Sequence, residues 1–170
     1  SEAHSVGFGP ISLEKVIRYS SNIGALKVSH LLGADRVASL LDKFSLTGKT
    51  GIDLPGETSA GVRPEKFWTP IHLATVGFGQ GISMTPLQLV ASFLPFANGG
   101  YWLRPKLLLD VEGVDTKPVM KRILSPKTAA TVRDILVSVT EDKGGTGLRA
   151  QMPNAKVAGK TGTAQKYDKD

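Results

Sequence analysis

The run Ala158-Gly159-Lys160-Thr161-Gly162-Thr163-Ala164-Gln165-Lys166 alternates small and polar residues, and the stretch from Ala155 to Lys166 predicts a β-strand. An edge strand offers backbone N–H and C=O groups with which an extended peptide can pair. Gly162 has no side chain to keep a ligand backbone away. Lys160 supplies positive charge, and the hydroxyls of Thr161 and Thr163 can bind a carboxylate. A Lys-Thr-Gly triplet is short enough to recur by chance, and Lys49-Thr50-Gly51 repeats it. That copy lies between Gly48 and Ile52-Asp53-Leu54-Pro55-Gly56 without strand-like alternation, so it reads as a structural turn. Neither copy is a phosphate-binding loop, because Lys43 and Asn154 stand where the required earlier glycine would be.

Ser20-Ser21-Asn22 is a Ser-x-Asn arrangement that can project a hydroxyl and an amide into a cleft. The same residues are also ordinary helix caps, and spacing alone leaves both readings open. Ser12-Leu13-Glu14-Lys15 places a lysine one turn after a serine, the arrangement of a nucleophile with a local base. Ser12 has an equally complete explanation as a helix N-cap.

The elements that must position these groups are mostly helical. Ser12 precedes Leu13, Val16 and Ile17, which predicts a short helix, and Ser20-Ser21-Asn22 breaks it. A second helix carries Ile23, Leu26, Val28, Leu31 and Leu32 and stops near Gly33. Asp35 is the predicted cap of a third helix through Val37, Leu40, Leu41 and Phe44, and 47–63 reads as a loop rich in Gly, Pro and Thr. Thr85-Pro86 predicts the start of a helix with a wide apolar face, which Pro95 is expected to kink or shorten and Asn98-Gly99-Gly100 to end. Leu107 to Val111 is a predicted strand. Ser125-Pro126 starts a further helix, closed by the turn Gly144-Gly145-Thr146-Gly147. Helices first, then strands mixed with a helix, give an α+β fold without a βαβ rhythm.

The chain has 170 residues, 41% of them hydrophobic and 21% charged, enough for one core and unlike a disordered chain. It contains no cysteine, which excludes disulfides, thiolate metal sites and cysteine nucleophiles. The net charge of +6 is spread singly along the chain, so nucleic acid is not an expected partner. No run of membrane-spanning length occurs, and the chain reads as a piece of something longer.

Ser20-Ser21-Asn22-Ile23-Gly24-Ala25 resembles the second motif of class B penicillin-binding proteins, and 158–166 resembles the third. Thr50 to Glu57, Gly77 to Leu89, Ala97-Asn98-Gly99-Gly100 and Gly144 to Gly147 resemble further stretches of that family, in family order. The resemblance implies a fragment of the penicillin-binding protein/serine β-lactamase fold: an antiparallel sheet flanked by helices plus a helical subdomain. Residues 1–170 would form one partial transpeptidase domain, with 1–100 the mainly helical part and 101–170 the strand/helix part. The implied activity is D,D-transpeptidation, which cross-links peptidoglycan stem peptides through a serine acyl-enzyme that β-lactams also form.

The family separates its Ser-x-x-Lys from its second motif much more widely than Ser12 is separated from Ser20. Ser12 therefore reads as a decoy, with no nucleophile in this chain and the attacking serine upstream. The chain by itself is then expected to be inactive. The resemblance assigns Ser20 to proton relay and Asn22 to the acyl-side amide of the substrate. Lys160 would polarise Ser20 and add positive potential. Thr161, Gly162 and Thr163 would bind the terminal carboxylate, with the Thr163 N–H in the oxyanion hole. No metal or organic cofactor is implied. Expected partners are stem peptides, β-lactam antibiotics and membrane proteins of cell-wall synthesis or division, at the extracytoplasmic face of a bacterial cytoplasmic membrane. Exposed edge and apolar surface would favour a dimer of such a chain. A β-lactamase or β-lactam sensor of the same fold, and a non-catalytic wall-binding scaffold, are the alternatives.

Overall fold

The structure is a computed structural model that describes residues 9–59, 61–109, 112–113 and 116–163. Among the described residues six α-helices form: α1 (Leu13–Arg18), α2 (Asn22–Leu32), α3 (Ala34–Lys43), α4 (Pro70–Gly77), α5 (Pro86–Ala97) and α6 (Pro126–Glu141). Two short strands, β1 (Tyr101–Leu103) and β2 (Met120–Arg122), pair antiparallel with Tyr101 opposite Arg122. The fold is α+β, as the order of sequence signals predicts.

Local capping chemistry sets most helix starts. Ser12 accepts the Lys15 N–H, Ser21 the Gly24 N–H and Ser125 the Thr128 N–H, each relieving one of the unpaired donors of a first turn. Thr85 and Gln88 cap α5 reciprocally, with Pro86 at the first helical position. Thr69, Pro70 and His72 repeat that device on α4. The third helix differs from expectation. Its cap is Gly33, not Asp35, because a single residue with φ of +79° joins α2 to α3 and leaves no separate capping position. Asp35 sits instead in the first turn, where a carboxylate suits the positive end of the helix.

Two other expectations are corrected and a third is narrowed. Of the kink or early end expected at Pro95, the early end does not occur: α5 runs two residues further to Ala97, and the Asn98 N–H bonds the Leu94 carbonyl at 3.0 Å. Leu107, Leu108 and Leu109 do not form a strand, and Val111 lies outside the described residues. The Leu107 and Leu108 N–H groups are taken by the two carboxylate oxygens of Asp53, each at 2.8 Å, instead of by a neighbouring strand. Ala155 to Thr163 makes one bridge, Ala155 to Met152, and no ladder. Its backbone groups turn to α6, and Ala164 to Lys166 lie outside the described residues.

The helices approach closely where side chains are small. A Cβ on Gly24 would lie 2.7 Å from both Val16 methyls, so only glycine lets α2 pass α1 at this distance. Gly77 has the same role toward Ser29, joining α4 to α2. Val37, Leu73 and Val76 form a core between α3 and α4, backed by Leu41, Trp68 and Ile82. Ala91 on α5 and Ala129, Leu136 and Val139 on α6 are buried as well. Gln88 is buried at the start of α5 and donates to the Gly48 carbonyl at 2.7 Å, tying the 47–63 loop to the helices.

Within that loop, Glu57 accepts the Thr50 N–H at 2.6 Å, the Thr50 hydroxyl at 2.7 Å and the Gly51 N–H at 2.9 Å. The hydrogen bond from the Thr50 hydroxyl, more than any other influence, holds the Glu57 carboxyl below its ordinary value. A group with a depressed folded-state value stabilises the fold above its unfolded value and loses that contribution as pH falls through the folded one. Glu57→Gln is therefore expected to lower the melting temperature near neutral pH. Melts of the two proteins should converge once the pH falls below the carboxylate range, and a deficit that persists there would show that the charge is not the cause.

Candidate active site

Residues Leu136 to Glu141 at the end of α6 anchor the segment that carries Lys160. The Gly159 N–H donates to the Leu136 carbonyl at 3.2 Å, and the Val157 N–H donates to Glu141 Oε1 at 3.1 Å. The Thr140 hydroxyl donates to the Val157 carbonyl. These bonds replace the sheet ladder that the alternation predicts, because a strand needs a neighbour and the described residues supply only a helix end.

Lys160 then reaches across the molecule. Its Nζ donates to Ser20 Oγ at 2.7 Å and to its neighbour's carbonyl, on Thr161, at 3.0 Å. Burial of the ammonium lowers the Lys160 pKa from the usual lysine value.

Ser20 lies between α1 and α2 with φ of +55°, the left-handed region. Its N–H bonds the Ile17 carbonyl at 3.1 Å, and the Ser21 N–H bonds the Val16 carbonyl at 2.9 Å. The two readings of Ser20-Ser21-Asn22 are therefore divided between residues. Ser21 is buried and caps α2, while Ser20 faces Lys160. Asn22 opens α2 and lines the same cleft as Ser20 and residues 160–163.

This cleft has a volume of about 480 Å³, with Phe93, Phe96 and Leu136 on its apolar wall. The side where a Gly162 side chain would stand is open space. The Thr161 hydroxyl shares a hydrogen bond with the Thr146 hydroxyl at 2.8 Å, and Thr163 is exposed at the rim. All six residues singled out from the sequence, Ser20, Asn22, Lys160, Thr161, Gly162 and Thr163, thus line one cleft.

Ser12 and Lys15 do not line it. Ser12 Oγ accepts the Lys15 N–H as the cap of α1. The second Lys-Thr-Gly is equally remote in chemistry: Thr50 is buried against Glu57 and Lys49 points to solvent. Thr146 and the α6 anchors were not singled out as site residues. The Gly-Gly-Thr-Gly turn was legible, but its meeting with Thr161 across 15 residues has no local sequence signal. Among the described residues no group of three or more His, Cys, Asp or Glu could hold a metal ion.

Comparison with known proteins places the chain as a whole. The chain is 35% identical to the penicillin-binding protein PbpB of Mycobacterium tuberculosis over 98% of its length, and covers 26% of that relative. It is 33% identical to a probable peptidoglycan D,D-transpeptidase, PenA of Neisseria gonorrhoeae, covering 92% of this chain and 26% of that one. The crystal structure of penicillin-binding protein 3 from Mycobacterium tuberculosis complexed with ampicillin superposes with a TM-score of 0.87 at 35% identity. That match covers 98% of this chain and 39% of the other. The chain thus spans about a quarter of the length of these two curated relatives. The model of the penicillin-binding protein transpeptidase domain matches residues 1–170, and the chain belongs to that family.

Proposed function

We propose that this chain supplies the leaving-group and carboxylate-binding side of a serine D,D-transpeptidase site that cross-links peptidoglycan stem peptides. The observation that carries the proposal is the 2.7 Å hydrogen bond from Lys160 Nζ to Ser20 Oγ, which joins residues 140 positions apart at the mouth of an apolar-walled cleft. Relatives named as D,D-transpeptidases and a similar structure holding ampicillin support the substrate class.

In this reading the attacking serine comes from outside the described residues, since Ser12 serves as a helix cap away from the cleft. That serine attacks the carbonyl of the penultimate D-alanine, and the C–N bond to the terminal D-alanine breaks. Ser20 passes a proton to the departing amine, with Lys160 as its partner. The Asn22 amide holds the acyl-side amide of the substrate. Lys160, Thr161 and Thr163 hold the terminal carboxylate by charge and hydroxyl donors. Gly162 lets the peptide backbone come close, and the Thr163 N–H stabilises the oxyanion. An amine from a neighbouring stem then attacks the ester, forms the cross-link and frees the serine. A β-lactam opens on the same serine.

Residues 1–170 in this reading are part of one transpeptidase domain working at the extracytoplasmic face of the cytoplasmic membrane, beside other cell-wall synthesis or division proteins. No helix among the described residues is long and apolar enough to cross a membrane.

The test is acylation of the full-length protein by a labelled penicillin. Lys160→Ala is expected to lower the acylation rate by about 100-fold or more, the scale of a lost proton-transfer group, while Lys49→Ala stays within about twofold of wild type. Equal losses in the two variants would overturn the choice between the triplets. Ser12→Ala is expected to label normally and to lose about 1 kcal/mol of stability as a missing cap. A penicillin adduct mapped to Ser12 by mass spectrometry would refute its assignment as a cap alone.

A further inference from the structure

Ser20 holds a left-handed backbone that non-glycine residues adopt at a cost, so its neighbours must fix it. On the α2 side, Ser21 does so by capping. On the α1 side Arg18, two residues before Ser20 and absent from the reaction scheme above, reaches across to α6 and the turn that follows it. Its Nε donates to the buried Ser138 hydroxyl on α6 at 3.1 Å. Its Nη2 pairs with Asp142 Oδ2 at 2.7 Å and with Glu14 one turn back on α1. The arginine side chain is only 16% exposed, so this is a multiply bonded, partly buried guanidinium and not a solvated surface pair.

The turn that receives Arg18 also reaches the opposite wall of the cleft. Tyr19 lies so near Gly144 that a Cβ there would stand 3.1 Å from its ring. Two residues later, the Thr146 hydroxyl meets the Thr161 hydroxyl. Residues 142–146 therefore touch the chain on both sides of the Ser20–Lys160 bond.

We propose that Arg18 and Asp142 are positioning residues: their ion pair clamps the end of α1 to the turn after α6 and holds the Ser20 hydroxyl against Lys160. The inference rests on the reading of Ser20 as the proton relay. Glu14 has no part in the clamp, because it bonds Arg18 within the same helix and links nothing across the cleft.

The experiment is stopped-flow acylation of the full-length protein by a labelled penicillin, resolved into the limiting acylation rate and the concentration that gives half of it. Arg18→Gln and Asp142→Asn are each expected to lower the limiting rate roughly tenfold with little change in the half-saturating concentration. The double variant is expected to fall no further than Arg18→Gln alone, because Asp142 acts only through Arg18, which also holds Ser138. Glu14→Gln is expected to keep the wild-type rate. The fraction of protein that labels separates positioning from stability. A merely structural role would lower that fraction and leave the rate constant of the labelled protein unchanged. That pattern, or independent multiplication of the two single losses, would overturn the inference. Should Arg18→Gln fail to fold, Asp142→Asn alone decides, since Asp142 is half exposed and the change is isosteric. A wild-type protein that does not label would instead sink the transpeptidase reading itself.

Discussion

The candidate site turns on a hydrogen bond between Lys160 and Ser20, two residues 140 positions apart, and that bond depends on the packing of α6. Such a bond contributes about 1 kcal/mol, far too little to bring distant segments together by itself. It forms because larger forces have already placed both ends. Ser20 is set by α1 and α2, which Gly24 allows to pass closely, and Lys160 is set by the bonds from 157–159 to α6. Burial of Leu136 and Val139 on α6 fixes that helix, so packing decides where the ammonium and the hydroxyl meet.

The two Lys-Thr-Gly triplets show how surroundings change the use of identical residues. At 49–51 the threonine is buried, its hydroxyl and N–H both given to Glu57, and the lysine is free to point to solvent. At 160–162 the threonine is exposed, and the lysine crosses the cleft. A carboxylate seven residues after Thr50 closes the first copy into a loop, and 157–159 has only α6 to lean on.

What the sequence made legible follows the same division between local and distant interactions. Ser12, Ser21, Thr85 and Ser125 announce their helices because a cap is satisfied within three residues. Helix α4 went unrecognised although Thr69-Pro70 repeats the Thr85-Pro86 signal and was legible by the same rule. The strands β1 and β2 are three residues each, and β2 is exposed throughout, so no alternation marks them. The expected terminal strand failed for want of a partner in the described residues. The six candidate site residues were found through short motifs and a family resemblance, and they do converge on one cleft. Arg18, Asp142 and the contact that Thr146 makes with Thr161 escaped notice because these bonds run to other elements, where neither spacing nor residue type points.

The left-handed backbone at Ser20 filters the side chains that position 20 can carry. Threonine offers the same hydroxyl, yet its branched Cβ is poorly compatible with φ of +55°. Asparagine and glycine accept that backbone more readily but bring no hydroxyl. Serine is the residue that tolerates this backbone and still carries the hydroxyl that Lys160 bonds. Chemical similarity alone is therefore a poor guide to exchange at this position, where a methyl group on the wrong carbon matters as much as a missing oxygen.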